Sequence, residues 1–170
     1  MTEQASPPMK PARQLFVSSD WSEVARVNTE VARFLHASGL SAEDVDKYTM
    51  VVCELVENGI KYGHFREDLN TVQVRVGIAN GAISVLVTNP VGGVTQTYLG
   101  ELDRAIQWVR GFQAPFEAYI ARMRAISREP LTADKSGLGL VRITYEGQAI
   151  LDFYLEENQT LSVSAVSNLK

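Results

Sequence analysis

The stretch TVQVRVGIANGAISVLVTN, residues 71 to 89, most narrows what this chain can become. Apolar and polar side chains alternate on both sides of Asn80-Gly81, and that pair favours the positive φ angles of a two-residue hairpin turn. An antiparallel pair with one apolar face has to bury that face against something. The candidates precede it. Val24, Val27, Val31, Phe34 and Leu35 recur at helical spacing up to Gly39, behind Asp20 and Glu23, which have the spacing of a capping box. Ser41 with Asp44 opens a second helix, on which Val45, Tyr48, Val52, Leu55 and Val56 share one broad face. Lys47, Met50, Glu54, Asn58 and Lys61 cluster on the opposite one.

The remaining segments complete a two-layer arrangement. QLFVSS (14–19) has the length and β-branched content of a strand, after an N-terminal tail (1–13) with paired prolines that reads as disordered. Residues 95–128 are helical in pattern, interrupted near Pro115, and form an insert within a single domain spanning 14–170. TADKSGLGLVRITYEGQ is a polar loop running into a short helix, and AILDFYLEENQTLSVSAVSNL is two strands around the turn 156–159. The expected fold is α+β, a two-layer α/β sandwich: a mixed, mostly antiparallel sheet with helices on one face.

Composition narrows the function classes. The 170 residues are 45% hydrophobic and 21% charged, with net charge −4 and no basic stripe, so nucleic acid is not an expected partner. No apolar run has the length of a membrane span. The single cysteine, Cys53, cannot form an internal disulfide, and a reducing cytoplasm is the expected compartment.

Three segments carry candidate chemistry. Glu54 and Asn58 lie one turn apart on their helix: either a solvated stripe, or a carboxylate able to take a proton beside a neutral amide oxygen of the kind magnesium accepts. Asn89 ends its strand, or reads the edge of a base. Gly137 and Gly139, in KSGLGL before a helix, form an ordinary tight turn, or offer backbone N–H groups to phosphate at a helix N-terminus. Lys135, Ser136 and Leu138 belong to the same loop. Lys61 shares the face of Asn58, where it can neutralise phosphate or pair with Glu57. Tyr98, Leu102, Ile106, Trp108, Val109, Phe112, Phe116, Tyr119, Ile120 and Met123 make the insert aromatic-rich. They pack inward, or part of their surface acts as a lid or docks a partner.

In this order the segments resemble the GHKL (Bergerat-type) ATP-binding fold of histidine kinases, heat-shock chaperone ATPases and bacterial anti-sigma-factor serine kinases. ELVENGIKYG is similar to that family's N box, which implies Glu54 as catalytic base and Asn58 as magnesium ligand. SGLGL resembles the second glycine box, which closes over the phosphates of ATP. VLVTNPVGG stands where the first glycine box belongs, with Gly93 and Asn89 as nucleotide-binding positions. There the family pattern has Asp at 89 and Gly at 91, and this chain has Asn89 and Val91. A neutral Asn oxygen loses a charge-assisted bond roughly twice as strong as a neutral one.

With no dimerisation helix ahead of the domain, and no phosphoacceptor context for His36 or His64, the resemblance runs to stand-alone serine kinases, most of all the SiaB-type group. It implies ATP and magnesium as cofactors and a homodimer of the kind the related anti-sigma kinases form. It also implies a small cytoplasmic regulatory partner, STAS-like or a sigma-factor regulator, as the substrate of a serine/threonine protein kinase. The rival is a partner-switching module that binds nucleotide weakly or not at all and sequesters its partner. A third reading is a plain ATPase.

Overall fold

The computed structural model describes residues 12–92, 95–128, 138–157 and 159–170. Along the chain run β1 (Ala12–Ser18), α1 (Glu23–Ala37), α2 (Ala42–Tyr62), β2 (Thr71–Ala79), β3 (Ala82–Pro90), α3 (Thr95–Arg110), α4 (Pro115–Ile126), α5 (Leu138–Tyr145), β4 (Ile150–Glu156) and β5 (Thr160–Asn168). The strands form one sheet in the order β1-β2-β3-β5-β4. All four pairings are antiparallel, so the mostly antiparallel sheet expected from sequence contains no parallel pair among the described strands. Residues 1–11 of the expected tail lie outside the described residues, and β1 begins at Ala12, inside the rest of it.

Asn80 and Gly81 both take positive φ (53° and 71°), and the hairpin registers Ala79 against Ala82. One face of the sheet is then set by alternation: Leu15, Val17, Val72, Val74, Val76, Ile83, Val85, Val87, Leu161, Val163 and Ala165 are all buried under the helices. The other face carries Gln73, Arg75, Thr88 and the exposed Phe16, Tyr154 and Val166. The main core is one contiguous cluster of sheet, α1, α2, α5 and the inner side of α3.

The two helix starts differ. Ser41 accepts from Asp44 N–H at 3.1 Å and donates to its carboxylate at 3.0 Å, as its spacing predicts. Asp20 and Glu23 do not form a capping box. The N-cap is Ser22, without a side-chain cap; Asp20 accepts from Ser22 N–H at 2.8 Å, and Glu23 is drawn away by Arg26 at 2.5 Å. The apolar side of α2 is wider than a two-sided helix requires, because Val51 and Cys53 are buried along with Val52, Leu55 and Val56. The helix runs between the sheet, α1 and α5, and only a narrow line is left partly open. Tyr48 anchors it to the last strand through Ser167 (3.2 Å), which also donates toward the Gly147 and Gln148 carbonyls at 3.1 Å.

Candidate active site

That narrow line carries Glu54 and Asn58, both partly buried. Asn58 and Tyr62 open onto a cavity of about 520 Å³, whose other walls come from α3 (Tyr98, Leu102, Trp108), α4 (Arg122, Ala125) and α5 (Leu140, Val141). The insert therefore packs and also walls the site. Leu102 and Ile106 enter the main core, and Val109 joins Ala118 and Val141 in a smaller cluster bordered by Phe112, Tyr119 and Leu138. Trp108, Phe116 and Met123 stay exposed. Tyr98 stacks on Tyr62, with ring centroids 4.3 Å apart and planes 16° from parallel, which fixes the start of α3 over the end of α2.

Glu54 meets the first turn of α5. A Cβ on Gly139 would stand 2.5 Å from its Oε2, closer than real Cβ contacts come, so only glycine lets α5 lie this near the carboxylate. Its Oε1 accepts from Arg142 Nη1 at 2.6 Å, and Arg142 also reaches Glu146 through Nε at 3.2 Å and Nη2 at 3.3 Å. The two motif segments, about eighty residues apart in sequence, are thus in contact. Burial pushes the Glu54 carboxyl above its ordinary value of 4.5; Arg142 pulls the other way but divides its charge with Glu146, and Glu57 adds repulsion.

The sign of this shift sets a pH dependence. A carboxyl with a raised folded-state pKa binds its proton more tightly in the folded chain, so its contribution is full below the ordinary carboxylate range and is lost as pH rises through the raised value. Replacing Glu54 with Gln removes that loss. In urea titrations the variant is expected to lose less stability than the parent between about pH 4 and pH 7; parallel pH slopes would contradict the assignment.

The other expected site residues divide. Asn89 is buried at the sheet end beneath α2, where its Nδ2 donates to the Pro90 carbonyl at 3.2 Å and its Oδ1 lies 3.5 Å from where a Gly59 Cβ would stand. Neither it nor Glu54 is among the described residues lining the cavity. Val91 is buried, with its N–H on the Gln159 carbonyl at 2.9 Å. His64 is exposed, yet its ring lies so close to Gly92 that a Cβ there would stand 2.6 Å from two ring atoms. Lys61 is exposed, its ammonium 5.5 Å from the Tyr62 ring centroid. Leu138 opens α5, partly buried. Gly93, Lys135, Ser136 and Gly137 lie outside the described residues. Arg142 was not singled out from sequence; the only signal was its i,i+4 spacing to Glu146, which reads as an ordinary surface pair.

A family model described as "Histidine kinase-like ATPase domain" matches residues 17–143, from β1 through the first turns of α5. The chain belongs to the histidine kinase-like ATPase domain family. Membership implies ATP binding, and it places the Glu54–Gly139 contact inside the matched region. Among solved structures, a chain of the SiaB–SiaC complex from Pseudomonas aeruginosa is similar to this one. Its TM-score is 0.70 at 19% sequence identity, and the match covers 93% of this chain and 90% of that chain. At that identity the likeness is one of fold. No relative among curated proteins matches. Among the described residues, no helix is long and apolar enough to cross a membrane.

Proposed function

We propose that this protein is an ATP- and magnesium-dependent serine/threonine protein kinase acting on a small regulatory protein of the STAS or sigma-regulator type in the cytoplasm. The observation that carries the reading is the contact of Gly139 with the Glu54 carboxylate, one helical turn from Asn58 on the cavity wall. A glycine that lets a helix start close on a carboxylate has little purpose in a plain structural domain. It suits a site where phosphates at a glycine loop have to lie beside a general base.

The donor chemistry fits magnesium. Asn58 carries a neutral amide oxygen, and magnesium commonly takes one or two protein oxygens and completes its shell with phosphate oxygens and water. When bound it neutralises charge on the phosphates. In the proposed reaction Asn58 holds the metal, and backbone donors of Gly137 and Gly139 hold the phosphates, with Lys135, Ser136 and Lys61 as further contacts. Glu54 takes the proton from the partner's hydroxyl. The rate of the transfer depends mainly on position and charge neutralisation.

The similar chain named above was solved within a complex of SiaB with SiaC, which supports a protein partner for this fold. The rival reading, a sequestering module with weak nucleotide binding, is favoured by one observation: Asn89 spends its amide internally, away from the cavity. Calorimetric titration with ATP, with and without magnesium, separates the two. The kinase reading expects magnesium-dependent binding that Asn58→Ala loses while remaining folded. No binding by the folded parent protein would make sequestration the function.

A further inference from the structure

Arg142 lies beyond the glycine loop, within the matched region 17–143, and is not needed to explain why the fold forms. Its helix is already held by Leu140, Val141 and Ile143, all buried. Its side chain nevertheless joins two carboxylates. Nε and Nη2 take the two oxygens of Glu146, the residue just past the end of α5, side-on in a bidentate fork, while Nη1 is left for Glu54 Oε1 at 2.6 Å. The fork fixes the guanidinium plane before it meets Glu54, so little rotamer freedom remains to be lost in that contact. The Glu146 N–H also bonds the Arg142 carbonyl at 2.8 Å, which keeps the brace on the helix axis. Glu54 Oε2 faces Gly139 at the same time. Both oxygens of the carboxylate are therefore oriented by α5, the helix that begins at the glycine loop.

We propose that Arg142, braced by Glu146, is a positioning residue for Glu54, holding its carboxylate in the orientation from which it takes a proton and tying that orientation to the helix behind the phosphate loop. This rests on the assignment of Glu54 as base. Among the described residues, the charged groups acting on Glu54 are Arg142 from α5, Glu146 just past its end and Glu57 from its own helix, and Arg142 is the cation of the three. Lysine in its place would keep the charge and lose the fork.

The test is single-turnover release of phosphate from γ-labelled ATP and magnesium with water as acceptor, because a base serves water as it serves a hydroxyl. Five chains are compared: parent, Glu54→Gln, Arg142→Gln, Arg142→Lys and the Glu54→Gln/Arg142→Gln double variant, each with its ATP affinity measured by calorimetry. Arg142→Gln is expected to slow release roughly 10- to 100-fold at unchanged ATP affinity. Arg142→Lys should recover part of that loss. The double variant should be no slower than Glu54→Gln alone, since a residue that acts through another adds nothing once the other is gone. A double variant slower by the full Arg142→Gln factor, or an ATP affinity that falls in step with the rate, overturns the positioning role. So does a parent-like rate in Arg142→Gln when Glu54→Gln is slow. A parent-like rate in Glu54→Gln overturns the base assignment itself, and the role of Arg142 with it.

Discussion

Glu54→Gln is expected to slow phosphoryl transfer from ATP by about 10²–10⁴-fold, the span typical of a lost general base, while ATP affinity stays within experimental error of the parent. Gln keeps the volume and one carbonyl oxygen, so the packing against Gly139 and the bond from Arg142 can persist. What disappears is the ability to accept a proton. The carboxylate is not among the described residues lining the cavity, so if the proposed nucleotide sits there, its contacts with the cavity walls should survive the substitution. Rapid-quench measurement with labelled ATP and the regulatory partner reads the first quantity and calorimetry the second. A parallel loss of both would mean that the Glu54–Arg142 pair holds the site together, and the residue would be structural.

Much of the fold was legible because local rules and tertiary packing agree there. The Asn80-Gly81 turn, the Ser41 cap and the break at Pro115 each satisfy a backbone demand that no distant residue alters. Asp20 and Glu23 show the contrary case. Their spacing suits a capping box, but Arg26, which also bonds the Phe16 carbonyl of β1, recruits Glu23 into a tertiary network. Of the site, the one-turn spacing of Glu54 and Asn58 and the glycine of the α5 turn could be read from sequence. That Gly139 lies on Glu54 could not, since nothing local links positions so far apart. Arg142 was hidden for the same reason: its sequence neighbour Glu146 explains it fully until the fold brings Glu54 within 2.6 Å. The surroundings of Asn89 depend on the sheet and α2 together. Strand alternation puts it on the helix-facing side with Val85 and Val87, and there α2 crosses closely enough at Gly59 to enclose the amide.

Gly139→Ala separates function from stability most sharply. The added methyl would stand 2.5 Å from Glu54 Oε2 and 3.4 Å from its Cδ, and no backbone atom is among the nearest contacts. The obstacle is the far end of a flexible side chain, which can rotate away at small cost. Ala also favours the helix over Gly by up to about 1 kcal/mol, less in a first turn. The stability of the variant is therefore expected to lie within about 1 kcal/mol of the parent in denaturant unfolding. The carboxylate, however, must swing off α5, breaking its bond with Arg142 and leaving the position from which it meets the acceptor. Misplacement by an ångström costs a positioned catalyst roughly 10²-fold, and a loss of that order in phosphoryl transfer is expected. Full activity in a normally stable variant would mean that the Glu54 carboxylate works from some other orientation. Unfolding with no other defect would mean that Gly139 serves packing alone. The expected combination, a stable and largely inactive chain, follows only if the glycine is there to let the phosphate-loop helix close on the base.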